Sequence, residues 1–250
     1  MEKTIRYLST FITSLLLYVV CAYMYLSFKG FVYENGTFTL VGNAYAQSNE
    51  ISSPLNSNIA INFNPVYTSG NSDAPLTMYE ISSLGCSHCA DFHLNILPKL
   101  EKDFISTGKL KIKFVNFPLD RKSMQGALIS QCMPEANRPA FVRSMFERQR
   151  EWQLAFDSAS VIKKIAAQNG FNAADFEACT KNSEMVQTIL DERQEAIDKL
   201  KVQGTPAFLI TGDGANEILY GMPDYNNFAA YLHNRLNAQS KKINERTCRH

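Results

Sequence analysis

The sequence predicts an α/β protein in which an inserted helical domain interrupts a sheet domain, with an apolar segment in front of the folded part. Three observations support this prediction. Strand-like and helix-like patterns alternate from about residue 59 onward, residues 122–202 are helical in pattern throughout, and residues 8–28 carry no charge. Because alternating strands and helices form a sheet with helices packed on its faces, we interpret the long helical stretch as an insertion.

The bulk composition fits one medium-sized domain that carries an insertion. The chain has 250 residues, a formal net charge of +1 and nearly equal numbers of acidic and basic residues. It contains no basic run and no interleaving of aromatic and basic residues, so we expect no nucleic-acid partner.

Residues 8–28 (LSTFITSLLLYVVCAYMYLSF) form an uncharged run that follows Lys3 and Arg6. About 20 apolar residues cross a bilayer as a helix, whereas the core of a signal peptide is usually about 7–15 residues long. The length favours a retained membrane anchor, but the small-x-small pattern of "NAYAQ" also allows cleavage after Ala46. Both alternatives predict export to the periplasm, with Lys3 and Arg6 on the cytoplasmic side.

The first half of the folded part predicts a linker, a strand and a helix. Residues 47–75 are rich in Ser, Asn and Pro and predict a linker with one short strand around residues 59–63. "PLTMYEISS" predicts a buried strand, and apolar residues at every fourth position then mark one face of a helix that begins near Cys86. These apolar residues are Phe92, Ile96, Leu100 and Phe104. Pro98 lies among them and is expected to kink the helix rather than end it.

The second half predicts strands on either side of the helical stretch. "KLKIKFVNFPL" alternates lysine with apolar residues, which is typical of a strand. Within the helical stretch, Gly170 is expected to end one helix, and Asn172 with Asp175 to begin the next. "PAFLITG" and "NEILYG" predict a hairpin joined by "DGAN", and "DYNNFAAYLHNRL" predicts a closing amphipathic helix.

These patterns divide the chain into five parts. The predicted parts are a membrane anchor or signal segment (1–28), a linker (29–58), a sheet domain in two pieces (59–121 and 203–240), the inserted helical domain (122–202) and a tail (241–250).

The motif "CSHC" lies where the first long strand gives way to the first helix. The free N–H groups and the dipole of a helix N-terminus favour negative charge, and the pKa of a CxxC thiol can fall to roughly 3.5–7.5 there. We therefore expect Cys86 to be the attacking thiolate and Cys89, one turn further on, to be the resolving thiol. A protonated His88 would stabilise the reduced form, which makes the disulfide more oxidising.

The residues of "CSHCADFH" could also bind a metal ion. Zinc would require Cys86, Cys89, His88 and His93 to surround one ion, but no second CxxC or HxxxH is present, so we expect no metal or other cofactor. Copper binding by the reduced dithiol with a histidine stays open as an alternative function, as does a structural protein that has kept the fold. His93 is expected to be an ordinary helix-surface or core histidine.

If the protein is exported, its remaining cysteines can form disulfides, because disulfides persist outside the cytoplasm. A Cys132–Cys179 disulfide would staple the helical stretch and contribute about 4 kcal/mol at most through chain entropy. Two buried free thiols are the alternative. Cys21 is interpreted as an apolar filler and Cys248 as an exposed residue of the tail.

Several ordered motifs resemble one known family. "DAPLTMYEISSLGCSHCADFHLNILPKL", the helical stretch, "DFEAC" and "QGTPAFLITG" together resemble the DsbA-like periplasmic thiol-disulfide oxidoreductases of the thioredoxin superfamily. The resemblance runs from about residue 60 to 238. It implies a thioredoxin fold with an inserted helical domain, and a CxxC dithiol that faces a cis-proline loop.

The resemblance also implies roles for individual residues. It assigns Cys86 as the nucleophile, Cys89 as the resolving thiol and Pro206 as the cis-proline, with the backbone of Thr205 pairing with an extended substrate peptide. Ser87, beside Cys86, is expected at the same substrate surface. The implied clients are unfolded exported proteins that bear thiols, and a membrane redox partner would restore the dithiol to its working state.

Four residues qualify this assignment. Glu80 matches a buried acidic position that relays the proton of the resolving thiol, although a surface strand residue is an equal alternative from sequence. Ser87 and His88 stand where many relatives have Pro-His, which should loosen the first helical turn. Thr205 before the cis-proline is shared with isomerase-type and reductase-type relatives, so an isomerase or reductase remains the alternative within the class.

Overall fold

The computed structural model describes residue 18 and residues 31–34, 37–40, 53–55, 61–212 and 214–247. The expected anchor apart from residue 18, the cleavage position after Ala46, and both Cys21 and Cys248 lie outside the described residues. Among the residues that are described, none belongs to a helix with the length and apolar character needed to cross a bilayer.

The chain divides into two compact units, residues 1–49 and 50–250. The first unit contains an antiparallel pair of strands, β1 (Phe31–Glu34) and β2 (Thr37–Leu40). The second contains the sheet and all the residues of the candidate site.

Six strands of the second unit form one sheet in the order β3-β8-β7-β5-β6-β4. They are β3 (Ser53–Leu55), β4 (Tyr67–Ser69), β5 (Leu76–Ser82), β6 (Leu110–Asn116), β7 (Ala207–Thr211) and β8 (Asn216–Tyr220). The β5 and β6 strands are parallel, and the other neighbouring pairs are antiparallel. A parallel pair needs a crossover connection, and the helical run 87–105 supplies it.

The helical run 87–105 begins directly after Cys86, as predicted, and contains two π-helical turns. It consists of α1 (Ser87–Asp91), a π turn (Phe92–Ile96), α2 (Leu97–Leu100) and a second π turn (Glu101–Ile105). The run continues past Pro98, as expected. Apolar residues at every fourth position would drift about 40° per step around a helix of 3.6 residues per turn. The wider π turns keep this stripe on the sheet.

The inserted helical domain consists of six α-helices and one short 3₁₀ helix (Glu135–Asn137). The α-helices are α3 (Arg121–Cys132), α4 (Arg138–Glu147), α5 (Gln149–Leu154), α6 (Ser158–Gln168), α7 (Ala173–Thr180) and α8 (Ser183–Leu200). Gly170 follows α6 with a φ of 83°, and the Asn172 side chain accepts a hydrogen bond from the Asp175 N–H, so both predicted boundaries are confirmed. A final helix, α9 (Tyr225–Thr247), packs Phe228 and Leu232 against the sheet.

The short strand predicted around residues 59–63 is wrong for residues 61–63, which have no regular structure. The N–H groups of Asn62 and Asn64 donate to the carboxylates of Glu195 and Glu192 on α8. These hydrogen bonds replace the strand partners that the sequence pattern suggested. The α/β class with a helical insertion is confirmed.

Candidate active site

Cys86 and Cys89 meet at the N-terminus of the helical run 87–105. Cys86 is the extended residue before α1 (φ −87°, ψ 126°), so its sulfur faces the free N–H groups of the first turn. Its Sγ lies 3.2 Å from the Thr205 carbonyl oxygen, to which the thiol form donates. Cys86 is half-buried, whereas Cys89 is fully buried, and both are free thiols.

The environment separates the proton affinities of the two thiols. The pKa of Cys86 is lowered to about 5, first because the Cys89 thiol donates a hydrogen bond to its sulfur. Thr205 and the N–H groups of Cys89 and His88 lower it further, while partial burial opposes them. The pKa of Cys89 is raised, first by burial and then by its donation to Cys86 and the charge there. The reduced pair therefore carries an outer thiolate and an inner thiol.

The loop before β7 forms the opposite wall of this site. The Thr205–Pro206 peptide bond is cis, Pro206 is buried, and its carbonyl accepts a hydrogen bond from the Gly221 N–H at 2.9 Å. Ser87 and His88, which follow Cys86, are exposed. The expected nucleophile, resolving thiol and cis-proline loop thus lie together.

Two glutamines of α5 hold the loop that precedes the dithiol, and sequence reasoning did not identify them. Gln149 Nε2 donates to the carbonyl oxygens of Leu84 and Cys86 at 2.7 and 2.9 Å. Gln153 Nε2 donates to the carbonyl oxygen of Gly85 at 2.5 Å. No local pattern reveals these contacts, because they join positions more than sixty residues apart in the chain.

Glu80 and His93 lie beneath the dithiol. Glu80 is completely buried on β5, so it occupies a buried acidic position and is not a surface residue of the strand. His93 is 4% exposed, and its Nδ1 lies 3.8 Å from Glu80 Oε2. Because His88 is exposed while His93 faces the core, these two histidines do not converge with the sulfurs. No group of three or more His, Cys, Asp or Glu suited to a metal ion occurs among the described residues.

Cys132 and Cys179 form a disulfide with an S–S distance of 2.10 Å. The bond joins the C-terminal end of α3 to α7 within the inserted domain. It packs with the core of that domain, in which Phe171 and Phe176 are buried.

The fold and the dithiol define an α/β protein of the thioredoxin class with a DsbA-like helical insertion. A family model described as "Thioredoxin" matches residues 64–221, more than half of the chain. The chain therefore belongs to the thioredoxin family.

Named relatives and solved structures agree with the class. A Rickettsia bellii relative named as a protein-disulfide oxidoreductase is 22% identical over 144 residues, 57% of this chain and 56% of the relative. Disulfide bond formation protein D of Bacillus subtilis is 24% identical over 160 residues, 62% of this chain and 70% of the relative. The crystal structure of Wolbachia pipientis alpha-DsbA1 matches with a TM-score of 0.64 and 25% identity, covering 70% of this chain and 93% of that one.

These matches confirm the predicted resemblance to DsbA-like thiol-disulfide oxidoreductases and the thioredoxin fold with its helical insertion. The chain spans little more than half of the length of the Rickettsia relative.

Proposed function

We propose that the protein is an exported thiol-disulfide oxidoreductase that donates a Cys86–Cys89 disulfide to exported proteins as they fold. The separation of the two thiol pKa values carries this proposal. An outer sulfur with a pKa of about 5 is a stable thiolate leaving group at neutral pH. Because the environment stabilises the reduced form, the disulfide is expected to be a strong oxidant.

The transfer takes two exchange steps. A client thiolate attacks the Cys86 sulfur, the bond to Cys89 breaks, and Cys89 leaves with the electron pair and takes up one proton. A second client thiolate then attacks the client sulfur of this mixed disulfide, and Cys86 leaves as a thiolate. The client loses two electrons, which the dithiol gains.

Two exposed apolar side chains follow a glutamine that contacts the dithiol loop, and they suit an unfolded client. Leu154 and Phe156 are 76% and fully exposed, and they follow Gln153, which contacts the dithiol loop. Large exposed apolar residues in a cluster are typical of a binding surface. We expect Phe156→Ser to lower kcat/KM on a reduced unfolded polypeptide severalfold and to leave the reaction with glutathione unchanged. Leu190→Ser, at an exposed leucine of α8, is the matched control.

Export and membrane contact are part of the proposal. The Cys132–Cys179 disulfide supports a periplasmic location, since such bonds persist outside the cytoplasm. Residues 8–28 would tether the protein to the inner membrane, or be removed by cleavage near Ala46. A membrane redox partner would then reoxidise the dithiol. The domain boundaries and the roles of Ser87, His88, Thr205 and Pro206 are proposed as the sequence suggested them.

The reduction potential of the Cys86–Cys89 pair tests the direction of electron flow. The full chain, with Cys21 and Cys248 replaced by serine, is equilibrated in glutathione buffers and the fraction of reduced dithiol is measured after alkylation. A potential well above that of the glutathione pool supports the oxidase. A potential near that of thioredoxin contradicts it and favours a reductase or isomerase.

A further inference from the structure

Cys89 and three side chains beneath it form two facing pairs, an outer pair of Cys89 with Ser82 and an inner pair of His93 with Glu80. Glu80 and Ser82 lie two residues apart on β5 and so point to the same face of the sheet. Cys89 and His93 lie four residues apart on the helical run 87–105 and so share a face of it. Ser82 neighbours the Cys89 thiol, and its Oγ is buried without a hydrogen-bond partner among the described residues, while His93 Nδ1 lies 3.8 Å from Glu80 Oε2. The pairs lead inward from Cys89 to His93.

The inner pair is short of hydrogen bonds. Both carboxylate oxygens of Glu80 and Nδ1 of His93 are buried and have no hydrogen-bond partner among the residues that the structure describes. Leaving a buried carboxylate and imidazole unsatisfied is costly, and such groups often have a catalytic role. Apolar rings of Phe114 and Phe146 contact His93 and hold its orientation.

On its other side, His93 lines a cavity of about 260 Å³ that is partly open to solvent. The titratable and charged groups that face it are Glu80 on β5, Tyr67 on β4, Glu101 on the second π turn and Arg143 on α4. Burial, followed by the charge of Glu80, raises the pKa of Tyr67, so the phenol stays protonated. His93 is therefore the titratable group between the buried carboxylate and the cavity.

We propose that His93 passes the Cys89 proton between Glu80 and this cavity. The inference rests on the proposed function and extends it to the reoxidation step. A disulfide of the recharging partner, or glutathione disulfide as a probe, reacts with the Cys86 thiolate and releases one thiolate. Cys89 then loses its proton to the inner pair of Glu80 and His93, attacks the Cys86 sulfur and displaces the second thiolate. Two electrons pass to the partner disulfide, and one proton leaves through the cavity.

His93 acts through Glu80 and does not touch the reacting sulfurs, so it is a positioning residue for the proton. Replacing His93 should slow the attack of Cys89 that closes the Cys86–Cys89 disulfide. It should leave the reaction of Cys86 with the incoming disulfide unchanged, because Cys86 lies outside the two pairs. A positioned acid–base side chain contributes enough to a reaction rate that we expect the rate of closure to fall by about tenfold or more.

The test uses the full reduced chain, with Cys21 and Cys248 replaced by serine, and glutathione disulfide. Acid quenching and mass measurement follow the mixed disulfide at Cys86 as it forms and closes. His93→Gln, which can hydrogen-bond but not carry a proton, should prolong the mixed disulfide at least tenfold. His93→Ala should do the same and recover as imidazole, which fits the enlarged cavity, is added. His233→Gln on α9 is the matched control and should close normally.

The outcomes separate this inference from the proposed function. If no mixed disulfide forms at Cys86 even in the unaltered chain, the oxidoreductase itself is wrong. If the mixed disulfide forms, but His93→Gln closes it within twofold of the unaltered rate or imidazole fails to rescue His93→Ala, the relay is wrong. In the unaltered chain, closure should not depend on buffer concentration, and strong buffer catalysis there would also overturn the relay, whether or not the variants fold.

Discussion

The low pKa of Cys86 depends most on one neighbouring donor, and replacing Cys89 tests that dependence. The hydrogen bond from the Cys89 thiol is the largest cause of the shift from 9.0 to about 5. A hydrogen bond to a charged group contributes about 1.5–3 kcal/mol, and one pKa unit corresponds to about 1.4 kcal/mol. Cys89→Ala should therefore raise the pKa of Cys86 by about 1–2 units. Cys89→Ser retains an O–H donor and should raise it by less than half as much.

The assay is a pH titration of thiolate absorbance in the ultraviolet, checked by the rate of alkylation at Cys86. Both variants are made with Cys21 and Cys248 replaced by serine, so that Cys86 is the free thiol that remains beside the intact Cys132–Cys179 bond. Equal pKa values in the alanine and serine variants would refute the reasoning. In that case the helix N-terminus and Thr205, not the Cys89 donor, would be what holds the charge.

Three further predictions concern stability. Burial raises the pKa of Glu192 from 4.5 to about 7, so the stability that its protonated form contributes is lost as pH rises through this window. Glu192→Gln should therefore raise the free energy of unfolding by about 1–2 kcal/mol above the window and leave it unchanged below. Glu184→Gln, at an exposed glutamate of the same helix, is the control, and urea titrations at both pH values measure the difference. Replacing Cys132 and Cys179 by alanine should cost about 4 kcal/mol at most, and a loss near zero in denaturant titrations would contradict the staple. Asp120→Ala removes the cap of α3 and should lower stability by about 1 kcal/mol, measured by thermal unfolding.

Much of the fold could be predicted because the patterns were local. The apolar stripe from Phe92 and the alternation after Lys109 depend only on nearby residues, and both elements are present. The π turns were hidden because the sequence shows which side chains share a face and not which carbonyl each N–H reaches. Residues 61–63 were misassigned for a related reason, since the groups that bind their backbone, such as Glu195, lie far along the chain.

The candidate site divides in the same way. The spacing of Cys86 and Cys89 identifies them as a candidate dithiol, and the place of Pro206 before a strand identifies it as a candidate cis-proline. Glu80 shares the alternating positions of Leu76 and Met78, so its burial was readable from the strand. The sequence predicts no role in the site for His93, although its spacing of four residues from Cys89 places both on one helical face. Only packing could reveal that the face lies over Glu80.

The two glutamines of α5 have a consequence for how the protein can be divided. Gln149 and Gln153 bind three successive carbonyl groups of the dithiol loop. Those carbonyls belong to the sheet domain and their donors to the insertion, so the reactive segment is built from both sides. Trimming the chain to a minimal sheet domain would therefore remove the donors that hold the dithiol loop. A shortened chain would have to satisfy the three carbonyl groups with other donors, such as water or new side chains, before the loop could keep this geometry.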